Sequence, residues 1–181
     1  MANLYTTPFS DIYDSFLAKV TDDMYMELSK DDTYQMLEEL LLSAIPKFEF
    51  PRKDVSDYKK SYTTTTTVDE QTKTVYKVGF FNNKLTSEEI NILATYMVVE
   101  WLGQQLASIE NVRMKYSGTD FKFTSQANHI QKLVTLKKEY EREGFHLQRL
   151  YKRRTLTEDG YVRSTFDVIM KPLTERSSDN G

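Results

Sequence analysis

The chain contains no cysteine, so a disulfide, a thiol nucleophile and a thiolate metal site are all excluded. It has two histidines, His129 and His146, too far apart in sequence to form an i, i+4 metal pair, and both read as surface or structural residues. Six glycines are scattered through it and none falls in a GxGxxG, GxxxxGK[ST] or GxSxG pattern. Dinucleotide binding, phosphate cradling and serine-hydrolase chemistry therefore have no support. No apolar run approaches the roughly 18–20 residues of a membrane-spanning helix. The N-terminus lacks a basic region followed by an apolar stretch, so a secretory signal is not expected and the chain reads as an intracellular product. Carboxylate pairs such as Asp22-Asp23, Asp31-Asp32 and Glu38-Glu39 are better explained by solvated helix faces than by glycosidase chemistry, which needs an apolar pocket around one acid. The chain reads as a non-enzyme needing no cofactor and no metal.

What is present is tyrosine, phenylalanine and segregated charge. Twelve Tyr and ten Phe occur in 181 residues. Tyrosine covers apolar surface while keeping a polar tip, which suits contact surfaces and small cores equally. Residues 1–45 hold nine acids against Lys19 and Lys30, a net of −7. Residues 131–154 hold eight bases against Glu139, Glu141 and Glu143, a net of +5. Such asymmetry can steer a head-to-tail contact between copies or be satisfied inside one fold.

Pattern along the chain predicts a mainly α protein: a helical bundle with an inserted β-hairpin and an extended C-terminal arm. Residues 1–154 form one helical domain, with the hairpin at about 61–81, and 155–181 form the arm and tail. Ser10 is the expected cap of a first helix with Ile12, Phe16, Leu17 and Val20 on one face. Residues 21–30 are a short strand or an irregular connection. Asp31 or Asp32 is expected to cap a second helix carrying Tyr34, Leu37, Leu40, Leu41, Ala44 and Ile45, stopped by Pro46. KFEFPRKDVSDYKK (47–60) reads as an ordered loop over the core. SYTTTTTV and TKTVYKVGFF, at 61–68 and 72–81, are the clearest β signal, with the turn near Asp69-Glu70-Gln71. A lone two-stranded hairpin is marginal, so it is expected to pair with another strand or to contact another subunit through Tyr62, Thr64, Thr66 and Tyr76, with a plain surface hairpin as the even alternative.

Thr86 and Glu89 form a capping box before an apolar helix expected to end near Ile109, with Trp101 as a packing residue. A loop at 116–124 follows, with Ser125 as cap of a long charged helix. That helix is expected to pack through its first half, bend at Gly144 and project or meet a partner through its second. Its end, Arg149, Lys152, Arg153 and Arg154, can contact phosphate, or can simply offset the helix C-terminal partial charge, which is the favoured reading. YVRSTFDVIM (161–170) reads as an extended arm or strand.

The phrase YSGTDFKFTSQANHIQKL, preceded by EWLGQQLASIENVRMK and followed by HLQRLYKRR, resembles the neck or head–tail connector (adaptor, head-completion) proteins of tailed bacteriophages. The similarity covers residues 86–154 most clearly, and the acidic helical N-terminus agrees; the insertion at 47–81 departs from the compact versions of the family. The resemblance implies a virion structural subunit, made in the host cytoplasm, that forms a ring, commonly a dodecamer, between portal and tail. Its expected partners are further copies of itself, the portal protein, tail or stopper proteins and packaged DNA held without sequence specificity, and no membrane. Val162, Phe166, Val168, Ile169 and Met170 would form the portal-gripping arm, and the basic cluster at Arg149–Arg154 would face a neighbour or the DNA channel. The alternative from another class is a sequence-nonspecific nucleic-acid-binding regulator acting through the basic helix.

Overall fold

The structure, a computed structural model, describes residues 6–20, 29–68, 71–115, 123–156 and 162–164. It is mainly helical with small antiparallel sheets, as the pattern predicts. The chain enters through β1 (Thr7–Pro8) and passes directly into α1 (Phe9–Leu17). Ser10 is not the cap. Pro8 holds that position with φ −67° and no side-chain bond, and the Phe9 amide donates instead to the Gly79 carbonyl at 2.9 Å. A proline ring fixes the φ a helix entry needs, and a carbonyl brought in by the fold replaces a local cap. Phe9, Ile12, Tyr13 and Phe16 are the buried face, at the spacings of one helical stripe.

The second helix, α2 (Lys30–Ala44), is capped by Ser29, whose hydroxyl accepts from the Asp32 amide at 3.2 Å and donates to the Asp32 carboxylate at 2.6 Å. Asp31 and Asp32 are therefore first-turn acids facing the helix dipole, not caps. Leu37, Leu40, Leu41 and Ala44 are buried, and the helix ends in a short 3-10 turn, Ile45–Lys47, that contains Pro46. Nearly all of 21–30, read as strand or connection, lies outside the described residues.

The 47–60 segment runs over the core, with Phe48 and Val55 buried, and ends in β2 (Tyr58–Lys59). The hairpin comprises β3 (Tyr62–Val68) and β4 (Gln71–Lys77), in register from Tyr62↔Lys77 to Val68↔Gln71. Phe80 and Phe81 do not extend it. They form β5, the centre of a three-stranded sheet between β1 and β2, with Thr7 and Tyr58 both opposite Phe81. Gly79 separates the two sheets at a close approach: a Cβ there would sit 2.5 Å from the Lys59 carbonyl oxygen and 2.7 Å from the Phe9 ring.

The capping box opens α3 (Ser87–Lys115), which runs past the expected end at Ile109. The Thr86 amide donates to Glu89 Oε2 at 2.8 Å and the Glu89 amide to Thr86 Oγ1 at 3.2 Å. Residues 92–99 are buried on every face, because α1, α2 and α4 all pack around α3. Trp101 packs against this core as expected. The last helix, α4 (Phe123–Arg153), begins before Ser125, which is thus inside it. It runs antiparallel to α3, as Lys137 approaches Gly103, Gly144 meets Tyr96, and Tyr151 meets Glu89.

The helix is continuous through Gly144, which is buried with its Cα facing the Tyr96 ring so closely that a Cβ would lie 2.8 Å from Cζ. Leu133 of the first half packs against the core as expected, with Asn128, His129, Gln131 and Lys132 exposed beside it; the second half both packs, through buried Gly144, Gln148 and Tyr151, and leaves Phe145, Arg149 and Lys152 exposed. Beyond α4, β6 (Arg154–Leu156) pairs antiparallel with β7 (Val162–Ser164).

Candidate interaction surfaces

The end of α4 presents two faces. The inner one is a polar network. Buried Glu89 accepts from the Tyr151 hydroxyl at 2.5 Å through one oxygen and from the Thr86 amide and hydroxyl through the other. The Tyr151 oxygen accepts in turn from the Arg52 amide at 2.9 Å, and the Arg52 guanidinium lies 4.1 Å above the Tyr151 ring while donating to the Tyr151 and Arg154 carbonyls. One turn earlier, Gln148 accepts from the Glu49 amide at 2.8 Å and donates to the Lys47 carbonyl and the Tyr96 hydroxyl. Buried polar groups cost stability unless paired. Here the pairing fixes the 47–52 segment onto α4, so residues far apart in sequence become one rigid surface.

The outer face is a groove of about 360 Å³ lined by Glu49, Phe50, Phe145, Gln148, Arg149 and Lys152. Phe50 is 45% exposed and Phe145 53%. Lys152 Nζ stands 4.1 Å from the Phe50 ring centre and the Arg149 guanidinium 5.9 Å from that of Phe145. Among the described residues no carboxylate forms an ion pair with Arg149 or Lys152. The groove joins apolar area to cations, chemistry that receives a partner with acids around an apolar side chain.

The four basic residues singled out in the sequence are thus divided. Arg149 and Lys152 line the groove and Arg153 is exposed. Arg154 turns back to α3 and pairs with Glu88 at 2.9 Å, so part of the segregated charge is satisfied within the fold.

The hairpin surfaces are divided in the same way. Tyr62 is 57% exposed and Thr64 half-buried; Thr66 sits opposite Lys73 in the ladder. Tyr76 is turned inward and stacks on Tyr34 with ring centres 6.0 Å apart. A second cavity of about 350 Å³ lies between α2 and the hairpin base, lined by Glu38, Glu39, Lys60, Tyr62 and Tyr76 among others. There Glu38 accepts from the Ser61 amide. Of the arm residues, Val162 pairs with Leu156; Phe166, Val168, Ile169 and Met170 lie outside the described residues.

His129 and His146 are exposed. Among the described residues no group of three His, Asp or Glu side chains is arranged to hold a metal, and no helix is long and apolar enough to cross a membrane. Sequence reasoning missed Phe50, Arg52 and Gln148 and counted Phe145 as part of an apolar seam. A signal was available for one stripe: Phe145, Arg149 and Lys152 fall at i, i+4 and i+7. No family model, curated protein or solved structure matches the chain.

Proposed function

We propose that this protein is a structural subunit of a virion, a head–tail connector that assembles into a ring between portal and tail and extends the DNA channel. It acts by assembly, with no catalytic step. The observation that carries the reading is the position of residues 86–154. The segment bearing the resemblance to connector proteins is the antiparallel α3–α4 pair, and the other described helices pack around α3. Ringed assembly calls for a rigid helical centre with contact elements at its periphery, and the peripheral elements here are the Thr-rich hairpin, the aromatic–cationic groove and the β6–β7 ribbon that starts the arm. Both outer edges of the hairpin lack a strand partner among the described residues, which suits strand addition by a neighbour or a tail protein.

In this reading portal protein, tail or stopper proteins and DNA passing without sequence readout are the partners, and the virion neck is the location. Electron microscopy of purified protein and of particles tests it: rings in the first and density at the neck in the second are expected. A chain found only as free monomer and missing from particles ends the proposal.

A further inference from the structure

The exposed large apolar side chains among the described residues are Leu17, Phe50, Tyr62, Leu136 and Phe145. Phe50 and Phe145 sit with two cations in the groove. Leu17 sits with two acids: Asp11, Asp14 and Leu17 succeed each other at three-residue steps along α1, all exposed, and span about a third of the helix circumference. The other acidic helix start, on α2, has no exposed large apolar residue beside it and carries Lys30 next to Asp31 and Asp32.

We infer that the groove formed by Phe50, Phe145, Arg149 and Lys152 receives the Asp11–Asp14–Leu17 stripe of a second copy of this chain. Leu17 seats between the two phenylalanines, and the carboxylates meet Arg149 and Lys152. Two cations against one carboxylate, Glu49, leave the groove with surplus positive charge to match two acids. Neither Asp11 nor Asp14 has a cation partner among the described residues. Partial burial, and to a lesser degree the Asp14 charge, hold the Asp11 carboxyl above its ordinary pKa in the isolated subunit. A cation from a neighbour relieves both carboxylates.

The two patches are different surfaces of one molecule, carried by helices that each pack on α3. Their contact is heterologous, so it propagates head to tail and closes into a ring or continues as a filament. The contact stands on its own chemistry; only its closure into a ring rests on the connector reading.

The test is a charge swap read by analytical ultracentrifugation of the full chain. Arg149→Glu with Lys152→Glu, and separately Asp11→Lys with Asp14→Lys, alter exposed side chains only, so circular dichroism should match the parent, while melting falls slightly because Asp11 lies in the first turn of α1 and Lys152 in the last turn of α4, where reversed charge opposes the helix dipole. Wild-type protein should associate in a salt-weakened manner, and each variant alone should weaken association about tenfold or more. Mixing the two variants should restore growth beyond the dimer, because alternating copies pair the reversed groove with the reversed stripe and, at the next contact, the unaltered stripe with the unaltered groove. Variants that assemble like the parent, a mixture that fails to recover, or a parent that stays monomeric each overturn the contact. Rings that persist in the variants leave the connector reading intact and remove this interface alone. Head-to-tail association lost in the variants, by a protein absent from particles, keeps the interface and removes the connector reading.

Discussion

At the scale of single residues, Tyr151 carries more of the architecture than its neighbours. Its hydroxyl joins the α3 capping box, through Glu89, to the 47–52 segment, through the Arg52 amide. Tyr151→Phe keeps the ring packing and removes both bonds, leaving buried Glu89 short of a donor. A buried polar group left unpaired costs about 1–3 kcal/mol, so a destabilisation near the upper end is expected in chemical denaturation. An unchanged midpoint would show that the network adds no stability. Gly144 gives a second, opposed case. Alanine is favoured over glycine in a helix by about 1 kcal/mol, yet a Cβ there would lie 2.8 Å from the Tyr96 ring. That ring cannot swing away without giving up its hydroxyl bond to Gln148. Overpacking of this kind costs about 1–3 kcal/mol, so Gly144→Ala should destabilise. In a Tyr96→Leu background the same change should stabilise, and a double-mutant cycle of melting curves reads the reversal of sign.

At the scale of elements, the hairpin and the helical core are separable. The β3–β4 ladder touches the rest of the fold mainly at its base, through the Tyr76–Tyr34 stack and the Glu38–Ser61 bond. Replacing 64–75 by a tight turn should leave the melting temperature of the helices nearly unchanged, while Tyr34→Ala, which removes a partner of both Tyr13 and Tyr76, should lower it. A hairpin deletion that unfolds the helices would contradict this separation. The same division explains what could be read from sequence. The Thr86–Glu89 box and the Thr-rich hairpin are local, so three-residue spacing and β-propensity were sufficient to find them. The start of α1 was misplaced because its first amide is satisfied by the carbonyl of Gly79, which only the folded chain brings near. In one dimension Gly144 looks like a glycine that bends the helix, and the facing Tyr96 ring that requires it is visible only in the folded chain. The groove escaped notice because Phe50 and Phe145 become neighbours only after Gln148 and Tyr151 clamp the 47–52 segment to α4.

At the scale of the whole molecule, buried tyrosine hydroxyls couple stability to alkaline pH. Burial pushes the Tyr13 hydroxyl far above its ordinary value of 10.0, and the charge of Glu38 adds to the shift. Tyr151 is raised in the same direction by burial and then by its bond to Glu89, and Tyr96 is raised by burial. In the unfolded chain these groups lose their protons near pH 10, whereas in the folded chain they keep them. The unfolded state then binds fewer protons than the native one, so stability falls as pH rises. Their contribution is complete below about pH 10 and is progressively lost above it as the unfolded chain ionises. Melting temperature should therefore show no tyrosine-linked loss up to about pH 9 and decline steeply beyond pH 10. Tyr151→Phe should start from a lower plateau and fall less steeply, since one ionisable group has been removed from the linkage. If parent and variant lose stability with the same slope above pH 10, Tyr151 is not among the groups whose protons the fold retains.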